Sequence, residues 1–527
     1  MARSASFWLV ILAINLSSFL ALMEGTIMSN ALPTIVDTLH GGNTYVWVGS
    51  AYNIACAAMM PATGAFAQAF GRKAVALVFI TMFSVGCVLC GAATSMTMLI
   101  AGRTVQGLGG AGIFATSAII LSDLVPLSER GLFNGLYYVT WCLASAIGPV
   151  VGGALSQTGQ WRWIFYINLP LAFVAAALVL TCLHLKTPGR TWAEIMHLMD
   201  WTGNFLIMSC STSIAIALTW AGLTYKWSSW HVLVPLCVGS IGLAAFFLYE
   251  IRLAKQPLVP VMLLGNRTTL SGYLQAFILP IPFFALVYYM PLYFQVCKGS
   301  SPIKSGVQLF GLSFSAPPFA VIAGISVKVT QRYRPQLWFG WITGIIGMGL
   351  LGSTSSTTAV ETIIGFEIIA GVGFGIIFSC LYFPVLAPLP ISSNAFALAF
   401  FSFVRIFAQI WGITIGGTIL QNQLVKKLPQ QLLTQFSLQT DVVFDVIPLL
   451  RELEEPLLGQ VRAAFASSLQ LVWQVMAGIS GLGLLISFFM RHMRLHTSVD
   501  SDWGAVERQG QVDQEKEPKA GDAAPTE

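Results

Sequence analysis

The feature that most constrains this chain is a series of apolar segments, each about as long as a bilayer is thick. A helix needs about 20 mostly apolar residues to cross the hydrocarbon core, and fourteen segments approach or exceed that length. They are residues 7–32, 46–67, 75–94, 97–122, 132–155, 164–184, 201–221, 231–250, 270–295, 306–327, 336–353, 361–383, 396–420 and 469–489. The sequence therefore predicts an all-α polytopic membrane protein with 14 transmembrane helices, joined mostly by short loops.

The shortage of charge agrees with this prediction. Only 9% of the 527 residues are charged and 56% are hydrophobic, whereas a soluble domain has roughly 25% charged residues. The net charge of +5 does not indicate nucleic acid as a partner, because the basic residues are spread over loops rather than clustered. The expected surroundings are a lipid bilayer.

The distribution of Lys and Arg predicts the orientation. With the N-terminus inside, the cytoplasmic segments hold fourteen of these residues and the short outer loops hold four. We therefore expect both termini in the cytoplasm, an external loop over 421–468 and a disordered cytoplasmic tail over 491–527. The expected location is the plasma membrane.

Cysteine and histidine give no sign of a metal centre, a cofactor or a disulfide framework. All nine cysteines lie in apolar segments, where they are read as packing residues, and the pair Cys87 and Cys90 has no second pair nearby. The six histidines are scattered, so a multi-span membrane enzyme is only a remote alternative. A G-x-x-x-x-G-K-[ST] loop, which would indicate nucleotide binding, does not occur.

Four ionisable residues fall inside predicted spans, where such groups are expensive and usually functional: Glu24, Arg103, Glu367 and Arg405. Burial disfavours an ionised carboxylate, so Glu24 is a candidate proton-coupling residue. The alternative is a permanent ion pair, with Arg103 as the candidate partner. Glu367 could also act in coupling or in an ion pair. Arg405 could pair with Glu367 or contact an anionic substrate.

Three further carboxylates lie at span ends, where a solvated or helix-capping role is expected: Asp123, Asp200 and Glu250.

Glycine is dense in the fourth and fifth spans. The fourth runs from Gly102 to Gly112 through five glycines, and the fifth ends in Gly148, Pro149, Gly152 and Gly153. Small residues spaced by four allow two helix backbones to approach closely, and a proline removes one backbone hydrogen bond. The pattern predicts close helix contacts and a bend point.

These residues carry a family resemblance. The segments Glu24 to Pro33 and Gly64 to Lys73, the pair Arg103 and Gly107, and the fifth-span glycines resemble signatures of the major facilitator superfamily. Within it the sequence is similar to the fourteen-spanner drug:proton antiporters, and among these it resembles fungal toxin and multidrug exporters. Trp161 to Pro170, Tyr293 to Gln295 and Gly299 to Gly306 add to the likeness, which covers about 7–490.

The resemblance implies a major facilitator fold with two six-helix halves, at 1–185 and 269–490, and two central spans within 186–268. It implies a substrate site between the halves and alternating access. Proton coupling is then expected at Glu24 and Arg103, and an antiporter hinge at Gly148, Pro149, Gly152 and Gly153. A gating loop is expected at Gly64, Gln68, Gly71, Arg72 and Lys73.

One departure from the family pattern lies in this loop. Gln68 and Ala69 stand where the family has an acidic and a basic residue, so we expect altered gating or a polar substitute through Gln68. The pair Arg72 and Lys73 is retained, and it serves either gating or the charge bias that sets orientation.

The function implied is efflux of small amphiphilic compounds, such as toxins, drugs or secondary metabolites, in exchange for protons by a monomeric carrier. An importer or siderophore-type carrier on the same fold is the alternative. Three aromatic residues of the ninth span could line a substrate cavity, face lipid or pack in the core: Phe283, Phe284 and Tyr288.

Overall fold

Long α-helices dominate the structure, a computed structural model that describes residues 4–39, 45–185, 194, 199–222, 225–254, 257–258, 265–429, 455–493 and 495. Numbered here in chain order, the described helices are α1 (Ala5–Leu39), α2 (Tyr45–Phe70), α3 (Arg72–Gly91), α4 (Met96–Leu124), α5 (Arg130–Gln157), α6 (Trp163–Tyr166), α7 (Asn168–Cys182), α8 (Trp201–Trp220), α9 (Trp230–Arg252), α10 (Arg267–Ile278), α11 (Pro280–Lys298), α12 (Pro302–Gln308), α13 (Phe310–Thr330), α14 (Arg334–Leu351), α15 (Val360–Cys380), α16 (Tyr382–Leu386), α17 (Asn394–Lys427) and α18 (Leu457–Ser487).

Twelve segments of this described chain are long and apolar enough to cross a membrane. The prediction of an all-α polytopic membrane protein is therefore confirmed. Helices α2 and α14 occupy the remaining two predicted spans but are less apolar. Helix α2 carries Asn53, Thr63 and Gln68 and packs against α4 and α17, while Arg334 and Gln336 lie in the first turn of α14. Because protein rather than lipid covers much of α2, its low hydropathy is tolerated. The count of fourteen stays a prediction.

Polar caps separate the apolar helices. Ser95 accepts a hydrogen bond from the Met98 amide at the start of α4, and Asp200 accepts one from the Gly203 amide at the start of α8. Such side chains satisfy amides that have no partner inside the helix. Asp200 thus has the capping role that its position at a span end predicts.

The helices form two groups. Helices α1 to α7 pack mainly on one another, as do α10 to α18, while α8 and α9 pair and α8 also contacts α2 and α17. The two groups meet where α5 packs against α13 and where α17 packs against α2 and α4. The domain boundaries at 185 and 269 stay predictions.

The predicted external segment 421–468 is described only at its ends. Helix α17 continues to Lys427 and α18 begins at Leu457, so both helices reach beyond the predicted spans. Residues 430–454 lie outside the described part of the chain, as does the predicted tail except for 491–493 and 495.

Candidate transport site

The first feature of the site is a buried ion pair between α1 and α4. Arg103 Nη1 donates to Glu24 Oε1, and both side chains are almost completely excluded from solvent. The other carboxylate oxygen of Glu24 accepts a hydrogen bond of 2.9 Å from Asn168 Nδ2 on α7. The structure therefore brings together the two residues for which the sequence predicts proton coupling, and it ties them to a third helix.

Arg103 has acceptors besides the carboxylate. Its Nε donates to the Val48 carbonyl at 2.9 Å, and its Nη1 also donates to Gln106 Oε1 at 2.8 Å. The guanidinium lies over the ring of Tyr52, 4.9 Å from the centroid, within the range of a cation–π interaction. A guanidinium surrounded in this way keeps hydrogen-bond partners even when its carboxylate is neutral.

Glu367 lies in a contrasting environment on α15. Its side chain is fully buried, and within the described chain neither carboxyl oxygen has a hydrogen-bond partner. Gly311 of α13 faces it so closely that a Cβ there would come within 2.9 Å of Glu367 Oε2. An ionised carboxylate is expensive to bury without a partner. The pairing of Glu367 with Arg405, one of the predicted alternatives, does not occur.

Arg405 of α17 instead lies where the two helix groups meet. Its Nη2 donates to the Tyr138 hydroxyl of α5 at 3.2 Å. The guanidinium lies 4.8 Å from the ring centroid of Phe378 and 5.4 Å from that of Phe401. Tyr138 belongs to the first group, whereas both phenylalanines belong to the second.

An aromatic cluster continues along this interface. Phe283 is buried, with its ring centroid 5.3 Å from Trp141 of α5 and 4.9 Å from Phe378. Phe284 is partly buried beside Phe283, while Tyr288 is 46% exposed on the outer surface of α11. Of the three aromatic residues singled out from the sequence, Phe283 alone is fully enclosed at this interface.

The glycines of the fifth span lie against α1. A Cβ at Gly148 would overlap Thr26 Oγ1, and one at Gly152 would overlap the Ile27 carbonyl oxygen. Thr26 Oγ1 also donates to the Ala144 carbonyl at 3.2 Å. Gly153 is buried as well, while the side chain of Pro149 is outside the described part of the structure. The close backbone contact expected from the glycine spacing is present, two residues along α1 from Glu24.

Comparison with known proteins identifies the family. The model of the Major Facilitator Superfamily matches residues 14–413. The efflux pump FUS6 of Gibberella moniliformis is 36% identical over 514 residues, which cover 96% of this chain and 91% of that protein. The MFS-type transporter of the acurin A biosynthesis cluster in Aspergillus aculeatus is 34% identical, over 95% of this chain and 92% of its own length.

The chain belongs to the major facilitator superfamily. A solved structure of the proton:xylose symporter XylE superimposes with a TM-score of 0.59 at 13% identity, covering 92% of this chain and 96% of the symporter. That likeness shows the fold. The family and the names of these relatives indicate a multi-pass membrane transporter.

The residues predicted to form a gating loop lie at the end of α2 and the start of α3. Gly64 packs against α17, where a Cβ would lie 2.8 Å from Ala399 Cβ. Gly71 adopts a φ of +85°, which a residue with a side chain rarely takes, so the reversal between α2 and α3 requires glycine. Lys73 is partly buried in the first turn of α3.

Arg72 is held inside this end of the bundle. Its Nε donates to Asp123 Oδ2 at 2.9 Å, and its Nη1 donates to the Ala67 carbonyl at 2.9 Å and to Gln68 Oε1 at 3.4 Å. The expectation of a solvated Asp123 is wrong, because the residue is only 3% exposed and its carboxylate pairs with Arg72. Glu250, expected to be solvated or capping as well, is also buried and accepts a hydrogen bond from the Leu258 amide at 3.3 Å.

At the end where α2 meets α3, an ion pair between Lys328 and Glu129 joins the two helix groups. Lys328 Nζ of α13 lies 3.1 Å from Glu129 Oε1, just before α5. Both side chains are partly exposed, so the pair contributes little to stability on its own. It nevertheless links the two groups at the same end as Gly64.

Sequence reasoning missed three members of the buried cluster: Asn168, Gln106 and Tyr52. Asn168 and Gln106 are uncharged polar residues within predicted spans, and that was the available signal. Polar residues in such positions commonly bond across helices. Nothing in the sequence indicated that they converge on Glu24 and Arg103.

Proposed function

We propose that this protein exports small amphiphilic organic compounds in exchange for protons by alternating access. The direction is supported by full-length relatives that are named as an efflux pump and as a transporter of a biosynthesis cluster. Nothing in the described part of the structure favours import, and the likeness to a symporter is one of fold alone.

The observation that carries the proton coupling is the environment of Glu24. Breaking a buried ion pair is normally costly, because it leaves an uncompensated charge. Here Arg103 would still bond to the Val48 carbonyl and Gln106 and lie over Tyr52 after Glu24 takes up a proton. The neutral carboxyl could still accept from Asn168. Both protonation states are thus supported, as a proton carrier requires.

The same helix supplies the link from the proton to the conformation. Thr26 and Ile27 follow Glu24 on α1 and touch α5 at Gly148 and Gly152 with almost no space between the backbones. Helices in such close contact cannot adjust by small local shifts, because a packed interior has no free volume to take them up. Release of Glu24 from Arg103 would therefore shift α1 against α5 rather than merely move a side chain.

The described conformation is closed at the end where α2 meets α3. A Cβ at Gly131 of α5 would lie 2.6 Å from Gly324 Cα of α13, and one at Gly135 would lie 2.6 Å from Val321 Cγ2. The two groups therefore touch directly along α5 and α13 at this end. If that end is cytoplasmic, as the charge distribution predicts, the protein is captured with its inner gate closed. We place it in the plasma membrane as a monomer with both termini inside.

Glu24→Gln tests the coupling because it imitates the protonated residue. In proteoliposomes with an imposed pH gradient, the wild type should accumulate fluorescent pyrene amphiphiles against their gradient, and the variant should lose this accumulation. Glu361→Gln, which neutralises an exposed glutamate in the first turn of α15, is the matched control and should behave as the wild type.

Two outcomes would contradict the proposal. Accumulation driven by the pH gradient in Glu24→Gln would remove Glu24 as the coupling group, and Glu367 would be examined next. A wild type whose flux ignores the pH gradient would be a facilitator rather than an antiporter.

A further inference from the structure

The partly buried Arg405 differs from three fully buried arginines in what its guanidinium contacts. Arg72 and Arg103 each pair with a carboxylate, at Asp123 and Glu24 respectively. Arg130 donates to the carbonyls of Val125 and Ser122 at 2.8 and 2.7 Å. Arg405 has no carboxylate within salt-bridge distance among the described residues.

The partners that Arg405 does have are neutral. They are one hydroxyl, on Tyr138, and the faces of Phe378 and Phe401. A guanidinium has five N–H donors, and aromatic faces compensate its charge only in part. Cations at membrane depth usually pair with other groups or serve a substrate pathway. This side chain is also only partly buried, so an incoming ligand can reach it.

The position of Arg405 suits a transported ligand. Tyr138 is in the first helix group, whereas the two phenylalanines are in the second, so a molecule bound here would touch both groups. Phe283 and Trp141 extend the aromatic surface from Phe378 along the same interface. When the two groups separate, these rings can pack on a planar apolar body instead of on one another, and the guanidinium fork matches a carboxylate in geometry as well as in charge.

We infer that the exported compounds are organic anions. A carboxylate, or another oxyanion of similar shape, binds Arg405, and the apolar body of the compound lies on the cluster formed by Trp141, Phe283 and Phe378. This inference rests on the proposed transport function and specifies its substrate class.

Three probes with one apolar body and different head groups test the inference: pyrenebutyrate, pyrenebutyramide and pyrenebutylamine. Equilibrium binding to the purified full-length protein in detergent is measured by fluorescence anisotropy. The wild type should bind the anion at least about tenfold more tightly than the amide or the amine, as a charge-assisted hydrogen bond implies.

Substitution of Arg405 gives the second arm. Arg405→Gln should bring the affinity for pyrenebutyrate down to that for the amide while leaving the amide's affinity unchanged. Arg405→Lys should retain part of the preference, because it keeps the charge but loses the planar fork. Arg252→Gln removes an exposed arginine at the end of α9 and should retain the full preference.

The outcomes separate this inference from the proposed function. A wild type without preference for the anion, or an Arg405→Gln variant that keeps the preference, would overturn the anion assignment. Loss of flux driven by the pH gradient bears only on proton coupling, because binding is measured without a gradient.

Discussion

Adding a single methyl group at the contact between α1 and α5 should damage the protein in a graded way. In Gly152→Ala the new Cβ overlaps the Ile27 carbonyl oxygen, which belongs to the backbone and cannot rotate away. In Gly148→Ala the overlap is with Thr26 Oγ1, which can rotate at the expense of its hydrogen bond to the Ala144 carbonyl. Gly152→Ala should therefore be the more harmful of the two.

The magnitudes follow from packing. Overfilling a close-packed interior costs about 1–3 kcal/mol, and we assign the upper part of this range to Gly152→Ala and the lower part to Gly148→Ala. Gly478 of α18 is the matched control, because no atom lies within 4 Å of a Cβ built there. Alanine in an open helical position gains roughly 0.5–1 kcal/mol over glycine, so Gly478→Ala should be neutral or stabilising.

The assay is thermal unfolding in detergent together with proton leak in proteoliposomes. The apparent melting temperature should be highest for Gly478→Ala, lower for Gly148→Ala and lowest for Gly152→Ala. Proton leak should be greatest in the variant with the lowest melting temperature. Thr26→Ala removes the overlapping oxygen, so it should reduce the cost of Gly148→Ala by roughly 0.5 kcal/mol or more. It should leave the cost of Gly152→Ala unchanged. Equal melting temperatures for the three glycine variants would show that Gly148 and Gly152 do not touch α1.

Two further predictions concern the end where α2 meets α3 and the orientation. Arg72→Met should lower the free energy of unfolding by about 3–5 kcal/mol, because it removes the arginine that pairs with the buried Asp123 carboxylate. Arg72→Met combined with Asp123→Leu should recover much of this loss. Chemical denaturation in detergent measures the free energy of unfolding of the single and the double variant. A double variant as unstable as Arg72→Met alone would refute the pairing argument. On intact cells a tag at the C-terminus should be inaccessible, whereas a tag within 421–468 should be accessible. The reverse result would overturn the predicted orientation.

The sequence was sufficient for the fold class because hydropathy acts locally. A segment such as 361–383 is apolar enough to leave water whatever its neighbours are, so the helices could be predicted one at a time. The same local reasoning found Glu24, Arg103, Glu367 and Arg405, since a charge inside an apolar segment is conspicuous in any context. The close approach of α5 to another helix also followed from glycine spacing, although its partner α1 did not.

What only the tertiary structure decided is which of these charges meet. Glu24 and Arg103 are 79 residues apart along the chain and bond directly, whereas Glu367 and Arg405 are closer in sequence and do not. Pairing depends on which faces of two helices turn toward each other, and helical periodicity within one segment does not contain that information. Asp123 shows the same limit, because its place at the end of a span predicts contact with water and packing instead buries it against Arg72.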